Sequence, residues 1–222
     1  MATFPAPCLH YFEYCSKCQY LLVKERHAMS SYIFISPGSD PGMGRPLADP
    51  ILRAGSKPTM GTCRPDLRRL VKLGDHIFVI SGSMGKRVNQ YVIGGLEIDS
   101  KLEDQIAAYD AFPENRLNFD ESGQRHGNII VTADGLHDPR DTHGNFDKRI
   151  RNYLVGKNPV ALETPREIEL GRERSVSILS NVFGRPEATT IRQIIGRFRK
   201  LSDDQAYRIR SALDDLKREA RS

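Results

Sequence analysis

From Gly61 to Arg69 the chain reads Gly-Thr-Cys-Arg-Pro-Asp-Leu-Arg-Arg. Pro65 suits the first turn of a short helix. Main-chain N–H groups at such a start, together with arginine forks, are the chemistry that holds a phosphate. Thr62, Cys63, Arg64, Arg68 and Arg69 would supply it. The plainer alternative pairs Arg64 and Arg68 with surface carboxylates. Cys63 also has two readings: a reactive thiol if the arginines depress its pKa, or a plain buried one. Farther on, Ser81-Gly82-Ser83-Met84-Gly85 is a small-residue turn with backbone donors, which adds Ser81 and Ser83 to the candidate nucleotide contacts. It joins two expected strands rather than a strand and a helix, so it is not a Walker loop.

A second concentration of chemistry lies between His126 and Asp147, where His126, Asp134, His137, Asp138, Arg140, Asp141, His143 and Asp147 crowd together. Histidines among aspartates suit acid–base or metal chemistry, with Asp134, His137, Asp138 and His143 as the candidates. They equally suit a non-catalytic polar pocket wall or a solvated loop. His137 and His143 are separated by Pro139, so they do not share a helical face, and the spacing matches no specific ligand motif. Cys15-Ser-Lys-Cys18 has zinc-knuckle spacing, with Cys8 or His10 as a further ligand, but no second Cys-x-x-Cys follows. There is no Gly-x-Ser-x-Gly elbow to support a serine nucleophile. The chain has no tryptophan, so stacking on a base would fall to Tyr32, Phe34, Phe78, Tyr91, Phe119 or Phe146, several of which sit in apolar runs that read as core. None of these patterns names a cofactor.

The elements that would hold these groups follow from periodicity. The runs Tyr32–Ile35 and His76–Ile80 are expected strands. A third runs from Tyr91 to Ile98, where the pair Gly94-Gly95 marks a bulge or a barrel bend. Asn128–Thr132 and Ser175–Ser180 are shorter strand candidates. Pro37 to Pro58 is rich in Gly and Pro and reads as one long loop, a length usually reserved for function or mobility. Leu67, Leu70 and Val71 share one face of the helix that starts at Pro65, and Leu102, Ile106 and Tyr109 mark another helix. Near the C-terminus Ile191, Ile194, Ile195 and Phe198 are spaced for a buried helical face. Ser202-Asp203-Asp204-Gln205 has the form of a capping box, ahead of a stripe of Ala206, Ile209, Leu213 and Leu216. The order suggests an α+β fold: a small curved, partly closed mixed β-barrel or sheet with peripheral helices and C-terminal helices.

At 222 residues with 39% hydrophobic and 27% charged residues, the chain can bury one real core. Residues 1–28 have neither periodicity and read as a leader, disordered or untranslated, with Met29 as the expected start of a 29–222 domain. No run approaches the roughly 20 apolar residues of a membrane span, and no secretory signal is visible, so a cytoplasmic protein is expected. The net charge is +5, unevenly spread. Arg45 to Lys72 holds seven basic residues against two acids, and Arg185 to Lys200 holds five against one. Such segregation suits an anionic partner such as DNA or a nucleotide if the fold brings the two segments together; solvated helix faces are the alternative.

The runs Tyr32-Ile33-Phe34, Gly61-Thr62-Cys63-Arg64-Pro65-x-x-Arg68-Arg69, Gly74-Asp75-His76-Ile77 and Ser81-Gly82-Ser83 resemble the second of the nucleotide modification associated domain families. Gly127-Asn128-Ile129-Ile130 and Val182-Phe183-Gly184 are similar too, so that the resemblance spans roughly Met29 to Leu216. The Pro37–Pro58 loop departs from the pattern in length and proline content. What the resemblance implies is association with systems that modify, or recognise modified, bases in DNA, often of phage or mobile-element origin. It also implies a kinship of architecture with the PUA-like barrels that pocket a modified base. Carried over by position, the motif falls on Thr62, Cys63, Arg64, Pro65, Arg68 and Arg69, with Asp134, His137 and Asp138 next. Three functions follow as expectations: a base- or nucleotide-binding protein, an enzyme altering a base through the Asp134–His143 cluster, or an interaction subunit that positions a DNA-modifying enzyme.

Overall fold

The computed structural model describes residues 30–53 and 55–222. The expected leader, Met29 and the candidate zinc ligands Cys8, His10, Cys15 and Cys18 lie outside the described residues.

The fold is α+β, built on a six-stranded mixed sheet in the order β2-β7-β4-β3-β1-β8. The apolar runs form its centre. β1 (Ser31–Ile35) lies parallel to β3 (His76–Ile80), with Tyr32 opposite Ile77 and Ile35 opposite Ile80. Both are covered on two faces, so their hydrophobic runs are continuous rather than alternating. β4 (Val92–Asp104) pairs antiparallel with β3 through its first half and with β7 (Arg151–Ala161) along most of its length. β2 (Thr59–Met60) closes one side of β7, and β8 (Phe198–Leu201) lies antiparallel on the free side of β1. A further pair of short strands, β5 (Asn118–Phe119) and β6 (Arg125–His126), stands apart from the main sheet.

The ladder is open, with β2 and β8 at its two ends and no hydrogen-bonded closure between them among the described residues. The register shifts at Val79/Ile80, Gly95/Glu97 and Ile98/Ser100, irregularities of the kind that bend a strand. The glycine pair marks this irregular region for a steric reason. A Cβ on Gly94 would lie 2.1 Å from the Val160 carbonyl oxygen, and one on Gly95 would lie 2.5 Å from the Phe78 ring.

Two cores sit on opposite faces of β7, as strand alternation requires. Leu154 joins the main core, where Leu170, Leu179 and Val182 of α4 (Pro165–Phe183) meet Ile209, Leu213 and Leu216 of α6 (Asp203–Glu219). Tyr153 and Val155 point the other way, toward Ala108, Ile129 and Val131. The smaller core seats α2 (Gln105–Ala111) against the polar segment that follows β6. The helix from Pro65 forms as α1 (Pro65–Leu70), with Leu67 and Val71 buried while Leu70 stays exposed. The Ser202 capping box is present, Gln205 N–H donating to Ser202 Oγ and Ser202 N–H to Gln205 Oε1, and the four-residue stripe behind it is fully buried.

Several expectations need correction. Ser175–Ser180 is interior to α4, not a strand; Ser175, Leu179 and Val182 are buried at helical spacing. Leu102 belongs to β4, and α2 starts only after the Asp104 cap. Phe198 begins β8 rather than extending α5 (Ile191–Ile195). Asn128–Thr132 is extended but makes isolated bridges, Ile129 with Arg116 and Val131 with His137, instead of joining the sheet. Among the described residues no helix is long and apolar enough to cross a membrane.

Candidate functional site

The Gly61–Cys63 backbone does face an anion, and that anion is internal. Asp49, buried just past the middle of the long loop, accepts the Gly61 N–H on Oδ1 at 2.9 Å and the N–H groups of Thr62 and Cys63 on Oδ2. Asn128 donates its side-chain amide to Asp49 Oδ1 at 2.9 Å. The donors expected to bind a phosphate therefore pin the loop to the body of the protein. Thr62 is buried and donates its hydroxyl to the Asn128 carbonyl at 2.6 Å.

Arg68 is likewise internal, with no exposed surface. Its guanidinium donates to the main-chain carbonyls of Cys63, Arg149, Arg151 and Asn152. Burial pulls its pKa down to about 10, which leaves it charged at neutral pH. Arg64 folds over Asp66 in a two-point pair at 2.9 and 2.6 Å and lies 4.3 Å from the Phe198 ring centroid. Ser81 is buried and accepts the Tyr91 N–H. Arg68, Thr62 and Ser81 are thus buried against the protein's own groups, and Arg64 is paired with Asp66. Arg69 and Ser83 are exposed, without a side-chain partner among the described residues. Burial raises the Cys63 thiol to about 12, with Asp49 adding to the effect, so it is not a thiolate at neutral pH.

The loop pinned by Asp49 roofs a cleft of about 330 Å³. Leu47 and Leu52 from the loop, with Ile93 and Leu162 from the sheet side, make its apolar walls, while Arg125 and Glu163 stand at its polar edge. A smaller cavity of about 150 Å³ adjoins it, sharing Ala48, Arg125 and Gly127, and is lined by Ser36, Ser39, Cys63, Asn128 and His143.

Behind this inner end sits Asp141, whose side chain is fully buried. Its Oδ1 accepts from His143 Nδ1 and Arg125 Nη1, both at 2.7 Å, and its Oδ2 accepts from His137 Nε2 at 2.9 Å. Burial alone would raise the carboxyl, but the bonds from His137, His143 and Arg125 outweigh it and hold the pKa at about 2. With Nδ1–H turned to Asp141, His143 keeps Nε2 without a hydrogen-bond partner among the described residues, beside the small cavity. A scan of family models, a search of curated proteins and a search of solved structures each return no match to this chain.

Of the four candidate acid–base residues, His137 and His143 meet on Asp141. Asp134 sits in an exposed turn, and Asp138 is closed off by Arg140, which donates to both its oxygens and holds its carboxyl below the ordinary range. Among the described residues no group of three His, Cys, Asp or Glu is placed to hold a metal ion. The aromatic candidates are also elsewhere. Tyr32, Phe34, Phe78 and Tyr91 are core, Phe146 stacks on His137 at 4.5 Å, and neither cavity is lined by a Phe or Tyr ring. Sequence reasoning missed Asp49, Arg125 and Asp141 as organisers of the site. The spacing His137-x-x-x-Asp141-x-His143 was the available signal for the last of these; Asp49 had none, because three of its four partners are main-chain groups and the fourth, Asn128, is distant in sequence.

Proposed function

We propose that this chain binds a base or nucleotide, free or within DNA, in the cleft beneath the 37–58 loop, in association with base modification. One observation carries the proposal: an apolar slot of aliphatic side chains runs into a polar inner end. A base presents the same combination, with apolar faces and a hydrogen-bonding edge. The volume of about 330 Å³ lies at the lower end of small-ligand clefts, about 300–1,000 Å³. Arg125 keeps Nε and Nη2 without partners among the described residues, and Ser36, Ser39 and His143 supply hydroxyls and a ring nitrogen at the inner end. The resemblance to the nucleotide modification associated domains supports the same reading, as does the bulged sheet beside the cleft, which suits the curved architecture of base-pocketing barrels.

A second reading is favoured by the Asp141–His143 pair. A buried carboxylate that fixes an imidazole by one nitrogen and leaves the other facing a cavity is the arrangement of a general acid–base. Under it the chain would convert the bound base, with His143 moving the proton and Asp141 orienting the ring.

Gel-shift titrations with DNA carrying plain and modified bases test both readings, using the wild type and Ala48→Phe, which places a ring where the two cavities join. Binding favours a modified base and falls at least tenfold in Ala48→Phe if the cleft is the site. His143→Ala separates the readings: binding retained with conversion lost marks an enzyme. Equal affinity of Ala48→Phe and wild type for every DNA contradicts the cleft.

A further inference from the structure

We infer that the groove between α1 and α3 (Phe146–Arg149) carries the phosphodiester backbone of a single nucleic-acid strand whose base enters the cleft. The inference rests on the cleft reading above and goes further, making the ligand a strand rather than a free nucleotide.

The groove has a volume of about 470 Å³ and is lined by Pro65, Asp66, Arg69, Lys148 and Asn152. Its one acid is already neutralised, since Arg64 takes both oxygens of Asp66 and holds that carboxyl below its ordinary range. Arg69 and Lys148 are exposed and have no acidic partner among the described residues. Lys72 and Arg151, close in sequence to Arg69 and Asn152, are exposed and unpaired in the same sense. The two cations that line the groove have no ion-pair partner of their own among the described residues, an arrangement that suits an anion from outside.

The arrangement is preorganised by Arg68. This buried guanidinium ties α1 to the carbonyls of Arg149, Arg151 and Asn152, so the segments that carry Arg69 and Lys148 are held at a fixed separation. Groove and inner cavity are lined by residues two apart in the chain, Pro65 for the groove and Cys63 for the cavity. A mononucleotide brings its phosphate on one side of the base only. A strand supplies phosphates on both sides, and only its unpaired bases are free to enter a slot.

The test is fluorescence anisotropy with a labelled single-stranded DNA of about twelve nucleotides, measured across salt and alongside nucleoside 5′-monophosphates. Arg69→Ala/Lys148→Ala is expected to weaken strand binding at least tenfold at low salt. It should also reduce the slope of log K against log salt by about 1.4, two phosphate contacts at about 0.7 each. Mononucleotide affinity should not change, and Arg69→Lys/Lys148→Arg should restore the slope. Strand affinity and slope unchanged in the alanine variant, while Ala48→Phe abolishes binding, overturns the groove and leaves the cleft standing. Strand binding lost in the alanine variant but untouched by Ala48→Phe overturns the cleft instead. No strand binding by the wild type at low salt overturns the inference outright.

Discussion

Asp49 and Arg68 have their charges inside the protein, and neither is neutralised by a single opposite partner. Asp49 is satisfied by three main-chain N–H groups and the Asn128 amide, Arg68 by main-chain carbonyls. Main-chain partners of this kind are invisible to motif reading, which is why Thr-Cys-Arg-Pro-x-x-Arg-Arg suggests a phosphate site when it is largely a structural joint. Asp49→Ala strands buried N–H donors, and its cost is expected at about 3–5 kcal/mol, measured by urea unfolding. A loss below about 1 kcal/mol would mean that the joint does not hold the loop. Asp141 makes a pH prediction. Its folded pKa of about 2 lies below the ordinary carboxylate value of 3.8. Its stabilisation is therefore fully present above pH 3.8 and lost as the pH falls toward 2. Acid unfolding of Asp141→Asn should be shallower than that of the wild type across this window, and identical profiles would refute the assignment.

At the scale of elements, legibility tracked how much of each signal was local. The β1 and β3 runs and the α6 stripe are continuous local patterns, and each forms within a residue or so of its expected place. α6 also carries its own cap, and Ser202→Ala should lower stability by about 1 kcal/mol, read as a drop in thermal midpoint; an unchanged midpoint would show that the cap adds nothing. β7 was not legible, because Asn152, Gly156, Asn158 and Pro159 interrupt its pattern. Asn152 and Asn158 take positive φ, and the β4–β7 register shifts twice. In α4 the alternation Ser-Val-Ser-Ile masks a helix whose start was written in Thr164-Pro165-x-Glu167, a capping box with proline in the first turn. The Asp/His stretch was legible as chemistry but not as geometry. Which aspartate the histidines share depends on the turn around Pro139, where His137 lies opposite Val131.

Across the whole molecule the two basic segments touch where Arg64 packs on Phe198. Their surplus charge is smaller at the surface than the sequence count suggests, since Arg68 is interior and Arg64 is paired. What remains exposed includes Arg69 and Lys72 from one segment and Arg192, Arg197 and Lys200 from the other. The long loop, whose glycines and prolines suggested function, is fastened by Asp49 just past its middle and by the Asp40–Arg172 pair at 2.6 Å near its start. Between these anchors it forms the cleft roof through Pro46, Leu47 and Ala48. The most direct test of the central claim is an NMR titration of isotope-labelled protein with plain and modified nucleoside 5′-monophosphates. Base binding in the cleft shifts the amides of Ala48, Leu52, Ile93, Arg125 and Leu162 in concert and leaves α6 unmoved; no shift at those five positions at millimolar ligand, or shifts confined to other surfaces, would contradict it.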